Sequence, residues 1–258
     1  MVVLFIGDIV GSPGRAGLAR AMPAIRERHA PDLIIANGEN SAGGLGITEK
    51  TAGELFEIGV DVITTGNHVY RHRDAYEFLD RSDRVIRPAN YMTGNPGRGS
   101  VIATVGDRRV AVINLSGSVQ LKVARSPFTE ADTLVERLSR DADAIIVDFH
   151  AEVTSEKIAM GWHLDGRVAA VLGTHTHVPT ADGRVLPGGT AFISDVGMTG
   201  SRAGVIGVRR EQALESFRTQ MPVRFDTADE DVWVNGVVVQ VRDDGLADSI
   251  EQVLVPAE

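Results

Sequence analysis

Five apolar runs in this chain each end in residues that can hold a metal or move a proton. Val2–Ile6 leads to Gly7-Asp8, Leu33–Ala36 to Asn37-Gly38-Glu39-Asn40, and Val60–Thr65 to Gly66-Asn67-His68. Ala144–Val147 leads to Asp148-Phe149-His150, and Ala169–Leu172 to Gly173-Thr174-His175-Thr176-His177. Taken singly, most of these have an ordinary explanation. Asp8 suits a turn or a helix cap, Glu39 and Asn40 suit a polar loop, Asn67-His68 suits a hydrogen-bonded turn, and a lone His150 suits a satisfied structural histidine. The pair His175 and His177 resists that explanation, because it sets two imidazoles beside one another at a strand exit. As a set, a structural account needs five unrelated reasons for one pattern. The chain has no cysteine, so disulfides and thiolate sites are excluded. The remaining donors are imidazole, carboxylate and amide oxygen, which suit Mn, Fe or Zn.

These residues converge only if the apolar runs are parallel strands. Val2–Ile6, Leu33–Ala36, Val60–Thr64, Ala144–Val147 and Val168–Leu172 read as buried strands that alternate with helical stretches, the βαβ pattern. In such a sheet the carboxyl ends of the strands form the crevice for a site, and the glycine that often stands beside these residues lets the chain turn sharply. Gly14–Arg28 carries Leu18, Met22 and Ile25 at helical spacing. Thr48 is a plausible N-cap for a helix through Phe56, and Arg71–Leu79 and Thr129–Leu138 also read as helices. Val101–Val105 and Arg109–Asn114 form an expected hairpin about Gly106-Asp107. The last third is richer in strands, with Thr190–Ser194 and a second expected hairpin, Val232–Val234 and Val237–Val241, turning at Asn235-Gly236. With 258 residues, 43% of them apolar and only 5% aromatic, the chain suits a Val/Ile-rich sheet under Ala/Leu-rich helices. No repeat or linker divides it, so residues 1–258 read as one domain, with Arg87–Ser100 as a long loop.

The ordered blocks Gly7-Asp8, Gly38-Glu39-Asn40, Gly66-Asn67-His68, Phe149-His150 and Gly173-Thr174-His175-Thr176-His177 resemble those of the calcineurin-like metallophosphoesterases. Longer stretches resemble the bacterial YmdB-like cyclic-nucleotide phosphodiesterases within that superfamily: Gly7 through Arg15, Asn37 through Gly44, Asp148 through Glu152, and Asp195-Val196-Gly197-Met198-Thr199-Gly200. The resemblance implies an α/β, four-layer sandwich of two packed, mostly parallel or mixed sheets flanked by helices. It implies two transition-metal ions, Fe or Mn first and Zn as an alternative, bridged by Glu39. Asp8 and His177 would complete one metal, with Asn40 as an extra ligand, and Asn67, His150 and His175 the other. Water activated between the metals would attack, and His68 would be the general acid. Two departures stand out. Val10 occupies a place where many superfamily members have histidine, which brings in Asn40. Val69 occupies a place where many have a carboxylate that orients the histidine, leaving open what orients His68.

The expected substrate is a small phosphodiester, a 2′,3′- or 3′,5′-cyclic nucleotide. The alternatives are a phosphomonoesterase of the same superfamily or a non-catalytic regulator that binds metal and nucleotide. A net charge of −9 with no basic stripe argues against duplex nucleic acid. No apolar run is long enough for a membrane span, and an early carboxylate argues against a signal peptide, so a soluble cytoplasmic protein is expected. A homo-oligomer is compatible with this reading. Ser41–Gly46 is a candidate phosphate-binding loop, Ser116–Phe128 a candidate lid, and Tyr70, Arg71 and His72 are candidate substrate contacts. Asp148 and Glu152 read as partners of ligands, and His29 and His163 as structural or exposed.

Overall fold

The computed structural model describes residues 1–257. Its first strand, β1 (Val2–Ile6), is apolar throughout because both of its faces are covered. Val3 and Phe5 point into a core shared with Leu33, Ile35, Val112, Ile146 and Leu172. Leu4 and Ile6, on the opposite face, pack with Leu18, Met22, Ile25 and Leu55. This two-residue alternation between two dry faces is why such a strand reads as an unbroken apolar run.

Two sheets produce that shared core. The first runs in the order β2 (Asp8–Ile9), β11 (Met198–Ser201), β12 (Val232–Val241), β1, β3 (Leu33–Asn37) and β4 (Val62–Thr64), with β13 (Ala247–Pro256) also paired to β12. The second runs β5 (Ser100–Val105), β6 (Arg108–Ser116), β7 (Ala144–His150), β8 (Ala170–Thr174), β10 (Ala191–Ile193) and β9 (Arg184–Val185). Within each sheet a parallel set forms the centre: β1, β3 and β4 in one, β6, β7, β8 and β10 in the other. Helices α1 (Gly11–His29), α2 (Glu49–Ile58) and α3 (Ala75–Arg81) cover the first sheet. Helices α4 (Pro127–Leu138) and α5 (Thr154–Leu164) cover the second, through a third core built on Ile113, Leu134, Val147, Phe149 and Met160. The result is the expected four-layer α/β/β/α sandwich. Helix α6 (Arg210–Thr219) stands outside these layers, with Ala213 as its one buried residue. Among the described residues no helix is long and apolar enough to cross a membrane.

Local signals account for several boundaries. Thr48 caps α2, its side chain accepting from the backbone N–H of Thr51 while Thr51 returns a bond to the Thr48 N–H, a reciprocal arrangement worth about 1 kcal/mol. The hairpin of β5 and β6 forms as expected about Gly106-Asp107. The expected turn at Asn235-Gly236 does not form. Residues 232–241 make one continuous strand, in which Gly236 pairs with Ile6 on one side and Val253 on the other. A Cβ at Gly236 would come within 2.7 Å of the Phe5 carbonyl oxygen, so this glycine serves close strand approach, not a turn. The chain reverses instead at Arg242–Gly245, where Gly245 has φ 84° and its N–H bonds back to the Arg242 carbonyl. The helix expected over Arg71–Leu79 also starts later, at Ala75.

Candidate metal centre

The carboxyl ends of the parallel strands meet across the two sheets. From the first sheet come Asp8 on β2, Glu39 and Asn40 just past β3, and Asn67 and His68 past β4. From the second come His150, the last residue of β7, and His175 and His177 past β8. All seven expected ligands and His68 thus reach one place. Donor atoms of Glu39, His150 and His175 lie within 4.8 Å of one another. Around them, Asn67 Oδ1 is 3.0 Å from His150 Nε2, and Glu39 Oε2 is 3.2 Å from the same nitrogen. Asp8 Oδ1 stands 3.9 Å from His177 Nε2, and Asn40 Nδ2 is 3.1 Å from that nitrogen. A methyl group at Gly66 would overlap Glu39 Oε2 and His150 Nε2, so the Gly-Asn-His block needs its glycine for the ligands to close up.

The outer nitrogens of two imidazoles are engaged, which turns their inner nitrogens to the centre. His177 Nδ1 is 2.9 Å from the Ile206 carbonyl, which can only accept, so Nδ1 carries the proton and Nε2 keeps its lone pair. The Thr174 hydroxyl donates to Asp148 Oδ1 at 2.7 Å and therefore accepts from His150 Nδ1 at 2.9 Å, leaving His150 Nε2 facing inward. Asp148 also receives Asn37 Nδ2 at 2.9 Å and the Thr64 hydroxyl. One buried carboxylate thereby ties together β3, β4, β7 and β8 under the site.

Asp8 and Glu39 are fully buried, yet among the described residues Asp8 Oδ1 has no hydrogen-bond donor and Glu39 Oε1 has no well-aligned one, its near neighbour being His68 Nδ1 at 2.9 Å. Burying two carboxylates with poorly satisfied oxygens is costly unless a cation neutralises them. These oxygens, the inward imidazole nitrogens and the adjacent amides together fit divalent transition metals. Electrostatics point the same way. Burial pushes the Asp8 carboxyl above its usual range, against the pull of His177 and His150. Burial also acts to raise Glu39, but the charges and hydrogen bonds of His150 and His68 outweigh it and hold this carboxyl far below the usual range. Burial acts to lower His150, yet Glu39, Asp8 and Asp148 raise it to about 9, whereas burial and the neighbouring His150 push His175 down to about 3. The buried carboxylates thus favour positive charge within the cluster, which a bound metal would supply.

His68 is not oriented by its neighbour Val69, which lies in the core. Its Nδ1 stands 2.9 Å from Glu39 Oε1 and 3.2 Å from Asn40 Oδ1. Two further groups were not visible as site residues in the sequence. Lys157 on α5, fully buried, donates to Asp195 Oδ2 at 2.7 Å and to the Thr176 hydroxyl at 3.2 Å. Asp195 also takes the Thr176 N–H and hydroxyl. This pins the loop in which His175 and His177 both adopt positive φ, 95° and 67°, a conformation that costs non-glycine residues about 1–3 kcal/mol each. Asp195 heads one of the quoted sequence blocks, but a lysine in mid-helix carries no local signal of burial.

The remaining candidates border the site in other ways. In Ser41–Gly46 the N–H groups of Ser41, Ala42 and Leu45 bond within the segment 38–46, and His72 Nε2 bonds the Leu45 carbonyl at 2.8 Å, so His72 fastens this loop. Tyr70 donates to the Pro96 carbonyl at 2.6 Å. The segment 116–128 is anchored by Glu156 to Ser118 and Val119 and by the Asn90 carbonyl to Ala124 and Arg125, and Lys122 lines a cleft with Asn67, Tyr70 and Tyr91. Glu152 Oε2 is 2.9 Å from His175 Nε2. His163 bonds Asp132 at 3.0 Å. On the side of His68 the centre opens into a cavity of about 270 Å³. A larger cavity of about 730 Å³ between α1 and α2 contains none of these ligands and has no bearing on the centre.

A sequence profile described as YmdB-like protein matches residues 4–253. The chain is 44% identical over 256 residues to the 2′,3′-cyclic-nucleotide 2′-phosphodiesterase of Bacillus subtilis strain 168, covering 99% of this chain and 97% of that protein. Its structure superposes on a novel phosphatase from Mycoplasma pneumoniae with a TM-score of 0.93 at 34% identity, covering 99% of this chain and 93% of that one. A 5′-nucleotidase-type structure from Staphylococcus aureus, at a TM-score of 0.63 and 17% identity over 100% of this chain and 54% of that one, shares the fold alone. With a profile match over nearly its whole length and a relative 44% identical across both chains, the chain belongs to the YmdB-like family.

Proposed function

We propose that this protein hydrolyses small phosphodiesters, foremost cyclic nucleotides, at two transition-metal ions, with Fe or Mn as the first candidates. The protein is an enzyme acting on phosphoester bonds, as its phosphodiesterase and phosphatase relatives indicate. The observation that carries the reading is the convergence of Asp8, Glu39, Asn40, Asn67, His150, His175 and His177 about two fully buried carboxylates, of which Asp8 Oδ1 has no hydrogen-bond donor among the described residues. Glu39 would hold both ions; Asp8, Asn40 and His177 would complete one, and Asn67, His150 and His175 the other. When bound, two such cations lower the pKa of water and neutralise phosphoryl oxygens.

The chain's own groups supply the rest. Asp148 and Thr174 fix the His150 ring, and the Ile206 carbonyl fixes His177. Glu39 and Asn40 hold the Nδ1 edge of His68, which leaves Nε2 as the nitrogen available to a substrate. From there the imidazole can deliver a proton to the leaving oxygen, an effect typically worth about 10²–10⁴-fold in rate. The sequence relative supports a 2′,3′-cyclic substrate, and the acidic charge disfavours long nucleic acid.

The test pairs elemental analysis with turnover of 2′,3′- and 3′,5′-cyclic nucleotides, bis(p-nitrophenyl) phosphate and a phosphomonoester. His68→Ala keeps its metals and loses about 10²-fold or more in diesterase rate. Loss of metal in that variant reassigns His68 as a ligand. No turnover of any of these substrates by protein with bound Mn or Fe refutes the enzyme reading in favour of a regulator.

A further inference from the structure

The cavity on the His68 side of the centre has two unlike walls. One is made of Glu39, Asn40, His68, His175 and His177; the other is apolar and includes Leu45, Ile206, Phe217 and Phe225. Phe217 on α6 and Phe225 just beyond it are 79% and 49% exposed, although aromatic side chains are the ones folding most gains by burying. The wall also carries strain. Val205 and Val208 exchange backbone hydrogen bonds of 2.9 and 3.1 Å, closing a two-residue turn in which Ile206 has φ 45° and Gly207 φ 92°. Such a turn ordinarily takes Asn or Gly at its first central position, and a β-branched residue there is an outlier. The Ile206 carbonyl meets His177 Nδ1 while its side chain, 53% exposed, faces the cavity. The carbonyl bond would survive replacement by Asn; what isoleucine adds is apolar surface at the cavity mouth.

We propose that this apolar wall, centred on Phe217, Phe225 and Ile206, is the seat of the substrate's nucleoside half and binds the base by stacking with little regard to which base it is. The proposal rests on the phosphodiesterase reading above. An alkoxide can take a proton from His68 only if it leaves on the His68 side, so the organic body it belongs to lies on that side as well. There it finds a cavity of about 270 Å³, just under the roughly 300 Å³ at which ligand clefts usually begin, which is room for one nucleoside and not for a polymer. The apolar wall offers flat aromatic faces and no side-chain donors or acceptors to read a base edge, the combination that gives sequence-tolerant stacking. A second cleft, with Lys122 and Tyr91 beside Asn67, does not have His68 in its lining.

Calorimetric titration of Mn-loaded protein with 3′-AMP, 3′-CMP and inorganic phosphate tests this. The wild type is expected to bind both nucleotides about tenfold or more tightly than phosphate, and the two nucleotides within about threefold of each other. Phe217→Ala should lower nucleotide affinity about tenfold more than phosphate affinity. Ile206→Asn should do the same while melting no lower than the wild type, because Asn tolerates positive φ, so the test survives if one variant folds poorly. Equal losses for nucleotide and phosphate, or none for either, overturn the proposal. So does sedimentation showing that Phe217→Ala splits an oligomer with no selective loss of nucleotide. If the wild type turns over no phosphodiester yet prefers nucleotide to phosphate and loses that preference in both variants, the catalytic reading fails and the pocket stands. If it turns over cyclic nucleotides and both variants do so with unchanged KM, the pocket fails alone.

Discussion

Glu39 is the residue on which the centre turns. Its two oxygens face His150 on one side and His68 on the other, and removing it leaves the imidazoles without the carboxylate that gathers them. Glu39→Ala is therefore expected to lose both metals together, read as a fall from two to fewer than one ion per chain by elemental analysis. Retention of one full equivalent would show that it serves a single metal. At this scale the sequence was informative because ligand chemistry is written in residue type: a carboxylate, an amide and imidazoles after apolar runs admit few other uses as a set. What it did not reveal were groups that act at a distance. Lys157 looks like any solvated helical lysine until α5 is packed on β8, and Ile206 gives no hint in one dimension that its carbonyl will meet His177.

Elements hold the ligands in place through a few buried contacts that can be tested. The loop after β8 is strained at both of its histidines and tied down by Lys157 and Asp195. Lys157→Met strands the Asp195 carboxylate in the core and is expected to cost about 3–5 kcal/mol in chemical unfolding. Adding Asp195→Asn should restore part of that stability without restoring the metal content that His175 and His177 are proposed to support. Recovery of full metal content in the double variant would mean that the ion pair is dispensable for the loop. Next to it, burial acts to raise the Asp182 carboxyl, but hydrogen bonds from the hydroxyls of Ser194 and Thr180 and from the Ser194 N–H outweigh this and hold it below its usual range. A group depressed in the folded state stabilises above its unfolded pKa and loses that effect as pH falls through the folded one. Asp182→Asn should thus melt below the wild type at neutral pH, with the gap closing as the pH drops below the usual carboxylate range. A gap that is constant with pH would assign the effect to packing. Strands of the parallel centre were legible in sequence because both faces are dry. The Asn235-Gly236 turn misled because a glycine that admits the β1 backbone has the same letter as one that turns a hairpin.

On the scale of the whole molecule, the two sheets divide the donors by chemical kind. Asp8, Glu39, Asn40 and Asn67, which supply the oxygens, come from the first, and His150, His175 and His177, the imidazoles, come from the second. A metal held by donors of both kinds would tie the two sheets together at their strand ends and is expected to stabilise the fold. At free metal about 100-fold above Kd the gain is about 2.7 kcal/mol per site, or roughly 5–10 °C in Tm for a domain of this size. Chelation should lower the melting temperature by that amount, and re-addition of Mn should restore it. An unchanged Tm would mean that the buried carboxylates are neutralised some other way. The four layers could not be read from periodicity, since a strand with two dry faces looks the same whether helices or a second sheet cover it.

The division of donors between sheets also sets an order in time. A chain made from its N-terminus exposes Asp8, Glu39, Asn40 and Asn67 long before His175 and His177 exist, and an all-oxygen cluster attracts hard cations such as Mg and Ca. Even then the first sheet cannot close, because β1 lies between β3 and β12 and β12 is among the last strands to be made. A centre drawn from both sheets is thus expected to be complete only after His175 and His177 have been made and β12 has paired with β1.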